Sequence, residues 1–251
     1  MVITLLVYVE AATKVGKYNM NQFKQYESDK PLVYLHMYKC AGCSVKSVFS
    51  DWYKGSINNE LLWHYQSENI LTCFSDKINE LRSINIDNPI FYGHFDSSHT
   101  FPKEIGQFMT MLRHPFEQVI SAYFYERHRK DDPDSVNLSV EDYVTKRGTV
   151  DSFINEFNKE RFTIENYKEI IKKYFIYIGT VDNFKNSIRN MASILNKDVL
   201  EDTGKLKLNR SIYTQKIPNH LSEWHRNTFK LDYAVYDYVV EINKNDYNII
   251  N

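Results

Sequence analysis

The stretch from Leu32 to Tyr53 narrows the possible folds more than any other part of this chain. Leu32-Val33-Tyr34-Leu35-His36-Met37 follows Pro31 and reads as a buried strand. It runs through Tyr38-Lys39-Cys40-Ala41-Gly42-Cys43-Ser44 into a predicted helix, Ser44–Tyr53, with Val45, Val48, Phe49 and Trp52 on one face. Small residues at 40–44 let the backbone turn tightly and leave unpaired amides at a helix N-terminus. Such a place attracts phosphate through the amides and the helix dipole together. Lys39 adds a full positive charge beside it. The order is not that of a Walker A loop, where the lysine follows the turn instead of preceding it. An ordinary strand-to-helix turn and a Cys-x-x-C redox pair are also compatible with these residues.

Further along, apolar runs of strand length alternate with segments of helical period, the pattern of an α/β chain. Strands are expected at Ile90-Phe91-Tyr92, Phe108–Leu112 and Tyr174–Ile178, the first and last closed by Gly93 and Gly179. A helix is expected from Pro115, a residue suited to a first turn, with Phe116, Val119, Ile120, Tyr123 and Phe124 inward. Others are expected at Val140–Lys146 with Ser139 as cap, Ile164–Lys173, Phe184–Leu195 and Leu231–Ile242. The stretches 129–137 and 202–218 read as long polar connections. No repeat or linker divides the 251 residues, so one domain is expected, with its core at about 31–242.

Composition excludes several classes of function. With 43% hydrophobic and 15% aromatic residues the chain can build a sizeable core, so disorder is not a candidate. A net charge of −1 argues against gripping nucleic acid by bulk charge. Cys40, Cys43 and Cys73 form no disulfide framework, and neither they nor the histidines have the spacing of a metal site. The apolar opening Met1–Val9 stops at Glu10, far short of the ~20 residues of a membrane span, and the chain is expected to be soluble and cytoplasmic.

Two more strand ends carry chemistry. Arg113 is placed at the C-terminal end of its strand, and Ser121 two turns into the following helix; guanidinium and hydroxyl together suit a phosphate. Ligands of open α/β sheets bind outside such strand ends, and two anion sites there suggest a ligand with two phosphate-like groups. His94 follows its strand directly and would project at the same edge as Lys39 and Arg113, where imidazole could act as a general base.

The ordered set Lys39-Cys-Ala-Gly-Cys-Ser, Gly93-His94 and Arg113-His-Pro with Ser121-x-Tyr123 resembles the sulfotransferases that use 3′-phosphoadenosine 5′-phosphosulfate (PAPS), most nearly the heparan and uronyl 2-O-sulfotransferase branch. Tyr177-Ile178-Gly179-Thr180-Val181-Asp182-Asn183-Phe184 resembles a later strand-turn-helix of that family. The resemblance implies a P-loop-NTPase-like fold, a central, mainly parallel sheet flanked by helices. It implies sulfuryl transfer from PAPS to a hydroxyl, or an amine, of a saccharide or small-molecule acceptor, releasing 3′-phosphoadenosine 5′-phosphate (PAP) without a metal. By position, Lys39 would stabilise the departing phosphate, and Ala41, Gly42, Cys43 and Ser44, with Cys40, would cradle the 5′-phosphate. Arg113 and Ser121 would hold the 3′-phosphate, His94 would take the acceptor's proton, and Arg210 and Ser211 would close over the nucleotide. The chain departs from the family pattern in having Tyr38 for its proline, Cys40 and Cys43 for its hydroxyls, and Gln118 for its second arginine. A thiol is a weak donor, so Cys43 should hold phosphate less well than threonine. A Mg-ATP-dependent phosphotransferase and a non-catalytic nucleotide-binding module remain the rival readings.

Overall fold

The computed structural model describes residues 22–53, 62–65, 73–83, 89–95, 101, 105–128, 138–149, 156–157, 159–199 and 216–245. Its centre is a parallel sheet in the order β2-β3-β1-β4-β7. These strands are β1 (Leu32–Leu35), β2 (Leu62–Tyr65), β3 (Ile90–Gly93), β4 (Phe108–Leu112) and β7 (Phe175–Thr180). β1 pairs with β3 on one side, Leu32 opposite Ile90, and with β4 on the other, Val33 opposite Phe108. A parallel sheet is covered on both faces, which is why β1, β3, β4 and β7 are apolar almost without interruption and buried throughout. The expected α/β fold with a parallel sheet between helices is the fold observed.

Alternation along the strands divides the core in two. Val33, Leu35, Phe91, Phe108 and Ile178 face Ile170 and Ile171 of α5 (Tyr167–Tyr174) and Val235 and Val239 of α8 (Lys230–Asn245). Ile78 and Leu81 of α2 (Cys73–Ser83) join this side. Leu32, Tyr34, Ile90, Tyr92 and Met109 face Val45, Val48 and Phe49 of α1 (Gly42–Trp52), and Ile188 and Met191 of α6 (Phe184–Ile194). A third cluster joins α3 (Pro115–His128), α4 (Val140–Arg147) and α7 (Asn219–Thr228) through Phe116, Val119, Tyr123, Tyr143 and Leu221. At Gly179 a Cβ would come within 2.8 Å of Ser187, whose hydroxyl bonds both the amide and the carbonyl of Thr180; α6 therefore lies directly on β7.

Several boundaries move. β1 ends at Leu35, two residues short of the expected Met37, and α1 begins at Gly42 instead of Ser44. β7 runs through Gly179 to Thr180, because parallel pairing with Met111 and Leu112 continues there. α5 starts at Tyr167 and Ile164 lies in a turn, 52% exposed. Ser139 caps α4 as expected, accepting from the Asp142 amide at 3.0 Å. β2, α2, α7 and a small antiparallel hairpin, β5 (Glu156–Phe157) with β6 (Glu160–Arg161), were not anticipated. The 129–137 connection lies outside the described residues, as does most of 202–218, including Arg210 and Ser211.

Candidate active site

Strand polarity brings the expected residues to one edge. Lys39 and the turn after it leave the C-terminal end of β1, His94 follows β3 and Arg113 follows β4. The β1–α1 turn contains two non-glycine residues in left-handed conformation, Lys39 (φ 60°) and Ala41 (φ 61°), on either side of Cys40. Each costs about 1 kcal/mol relative to ordinary backbone. The turn is held from several directions. Cys40 N–H donates to Met37 O, Tyr92 Oη donates to Gly42 O at 2.5 Å, and Gln118 Nε2 donates to Tyr38 O at 2.8 Å. Ala41 caps α1 without a side-chain bond and no acidic residue lies in the helix's first turn, so its leading amides meet no competing carboxylate there.

Two cations share this edge. Lys39 is half-buried, with Nζ 3.6 Å above the centre of the Tyr125 ring. Desolvation, and then the positive charge of Arg113, lower its pKa to about 8. Arg113 lies 3.7 Å from the half-exposed Glu117. Lysine and guanidinium oppose one another here, and a bound anion would relieve both.

Beneath the turn sits a buried carboxylate. Glu126 of α3 accepts from Tyr38 Oη at 3.2 Å, Tyr143 Oη at 2.8 Å and Arg147 Nη1 at 2.8 Å. Burial and the neighbouring carboxylate push both phenols well above their ordinary pKa, so each stays protonated as a donor. The network ties the turn to α3 and α4.

His94 is exposed, and its ring stacks on His36, 4.0 Å between centres and 26° between planes. Against this edge, Tyr236 Oη donates to Asp182 Oδ2 just beyond β7. His114 meets Tyr233 and Tyr236 edge-on, with centres 5.3 and 5.5 Å away.

No protein-family model matches the chain, and no curated protein sequence matches it. Among solved structures, the crystal structure of mouse sulfotransferase SULT7A1 complexed with PAP is similar, with a TM-score of 0.51 at 11% identity, over 88% of this chain and 92% of that one. The chain shares the fold of that structure.

On that fold the expected residues do not all face the same way. Lys39, Arg113 and His94 come to the edge, Cys43 is exposed on the first turn of α1, and the backbone of Ala41 and Gly42 forms the bend. Cys40 turns inward, 2% exposed, burial pushes its thiol up to about 12, and its amide is engaged by Met37 O, so it shapes the turn. Ser44 and Ser121 are buried at 4% and 2%. No helix among the described residues is long and apolar enough to cross a membrane, and no three His, Cys, Asp or Glu side chains there are grouped to hold a metal ion.

His36, Tyr125 and Glu126 escaped the sequence reading. For His36 a signal existed: Tyr34-x-His36 and Tyr92-x-His94 repeat the same spacing on two strands. Gln118 read only as a lost arginine, yet it holds the Tyr38 carbonyl.

Proposed function

We propose that this chain is a sulfotransferase that moves a sulfuryl group from PAPS to a hydroxyl of a saccharide or small-molecule acceptor. The observation that carries the reading is the meeting of Lys39 and Arg113 at the edge of a sulfotransferase fold, beside a strained backbone bend and one strand from His94. Mutual repulsion of the two cations, relieved by an anion, fits a ligand with phosphates at both ends of a nucleoside.

His94 takes the hydroxyl proton as the acceptor oxygen bonds to sulfur. The bond from sulfur to the bridging phosphate oxygen breaks, its electron pair leaves with PAP, and Lys39 stabilises that charge. The Ala41, Gly42 and Cys43 amides hold the 5′-phosphate, with the Cys43 thiol a weak addition and the Ser44 amide shared with Ala41 O, to which it donates at 3.0 Å. Arg113 holds the 3′-phosphate; Ser121 joins it only if ligand binding opens its buried position. Positioning and electrostatics supply the rate, as in phosphoryl transfer. The net charge of −1 weighs against a long polyanionic chain as acceptor.

Thermal unfolding with PAP, ATP or AMP tests this reading. PAP at ~100 times its dissociation constant should stabilise by about 2.7 kcal/mol, and Arg113→Ala should abolish the gain. Stabilisation by Mg-ATP and not PAP would favour a phosphotransferase. A PAP response with no loss of biological activity in Lys39→Ala and His94→Ala would favour a non-catalytic module.

A further inference from the structure

His36, at the same edge, has specific surroundings. β1 and β3 are in register, Leu35 opposite Gly93, and the ladder continues one step beyond, with His36 N–H donating to Gly93 O at 2.7 Å. Residues in register on parallel strands project to the same face. Tyr34 accordingly stacks on Tyr92, 4.7 Å apart and 1° from parallel, and one step further His36 stacks on His94 at 4.0 Å. The two pairs form a short aromatic column that ends at the rim.

The other side of His36 presses on the phosphate turn. A Cβ built on Gly42 would lie 1.6 Å from His36 Nε2, so the imidazole fills the space a side chain would take at the first residue of α1. Tyr92, whose ring centre is 5.4 Å from that of His36, donates to the Gly42 carbonyl. One flat ring therefore touches both the bend and His94.

We propose that His36 is a positioning residue that fixes the His94 ring and couples its placement to the phosphate-binding turn at Gly42. The inference rests on the reading of His94 as the base and of the turn as the phosphate site. An exposed imidazole on a strand end has rotamers to choose from, and a stacked partner wedged against a glycine removes most of that choice. Movement of the turn on binding phosphate would be passed to His94 through a rigid ring, so that the base is set only when the donor is in place.

The test uses the full chain with ¹³C-labelled histidine rings, the His94 signal being assigned with His94→Gln. His94 is followed in wild type, His36→Ala and His36→Phe, with and without PAP. Without ligand, the His94 signal should shift in His36→Ala, which loses the stacked ring current, and return toward the wild-type position in His36→Phe. With saturating PAP, His94 should respond in wild type and in His36→Phe but not in His36→Ala, and a response in PAP-saturated His36→Ala overturns the coupling. An unchanged His94 signal in a folded His36→Ala protein, or a Phe variant no nearer wild type than Ala, overturns the proposal. So does a His94 that ignores bound PAP in wild type. Failure of PAP to bind wild type would instead overturn the assignment of the phosphate site and with it the coupling, while the ligand-free comparison still decides the stack.

Discussion

Lys39 carries the clearest consequence of burial for a single residue. Its folded pKa of about 8 lies below the ordinary value of 10.5, so in the free protein it discharges as pH rises through 8. An anion binds best to the charged form, and PAP affinity should fall as pH rises from 7 to 9, read by calorimetry. Lys39→Arg, which stays charged throughout, should flatten that fall. At Gly42 the steric argument is as direct. Gly42→Ala places a Cβ 1.6 Å from His36 Nε2 and should cost about 1–3 kcal/mol, an ordinary overpacking penalty. Adding His36→Ala should recover a large part of that loss, a coupling that a denaturation double-mutant cycle reads. Sequence spacing placed Lys39, His94 and Arg113 at one edge because strand ends and polarity are local facts. It was blind to the ring of Tyr125 and to the inward turn of Cys40, which depend on how α3 lies over the turn and on left-handed dihedrals that Lys and Ala rarely adopt.

Among the elements, α3 holds the turn through Gln118, which donates to Tyr38 O, and Glu126, which accepts from Tyr38 Oη. Glu126→Gln keeps the shape but leaves two phenols and a guanidinium facing a neutral amide. It should cost about 1–3 kcal/mol in denaturant unfolding and weaken PAP binding, since Tyr38 adjoins Lys39. His225 of α7 is fully buried between Tyr233 Oη at 3.1 Å and Gly148 O at 2.9 Å, joining α8 to the end of α4. Burial holds its pKa below the ordinary 6.5, so the unfolded chain binds the proton more readily. Its contribution to stability is therefore complete above pH 6.5 and is lost as pH falls below it. Asp232, raised to about 6 by burial, acts in the opposite sense between pH 4 and 6. The difference between wild type and His225→Gln isolates the histidine: below pH 6.5 the variant should lose stability less steeply. Helices with an amphipathic pattern and a cap, such as α4 with Ser139, were legible in the sequence. β2 was not, having only four residues, and α2 and α7 carry weak apolar patterns, α7 burying only Leu221 and His225.

For the whole molecule, the class of fold followed from apolar runs alternating with helical periods, because only a sheet covered on both faces tolerates such strands. Strand order did not follow, since it is a matter of long-range pairing and periodicity speaks only of neighbours. The site belongs to that order. His94, Lys39 and Arg113 follow the ends of β3, β1 and β4, which are adjacent in space while the chain inserts β2 and α2 between β1 and β3. A consequence reaches into how the protein comes to exist. Leu32 must find Ile90, and Val33 must find Phe108, before the edge is complete, so loop-closure entropy is spent before the site returns any of it. Folding should be slow for a chain of this size, and recovery of PAP binding should trail helix formation in a stopped-flow refolding trace. During synthesis a ribosome-bound chain ending before β4 would hold the bend and the histidine without the arginine, and the binding edge would first close when Arg113 has left the exit tunnel.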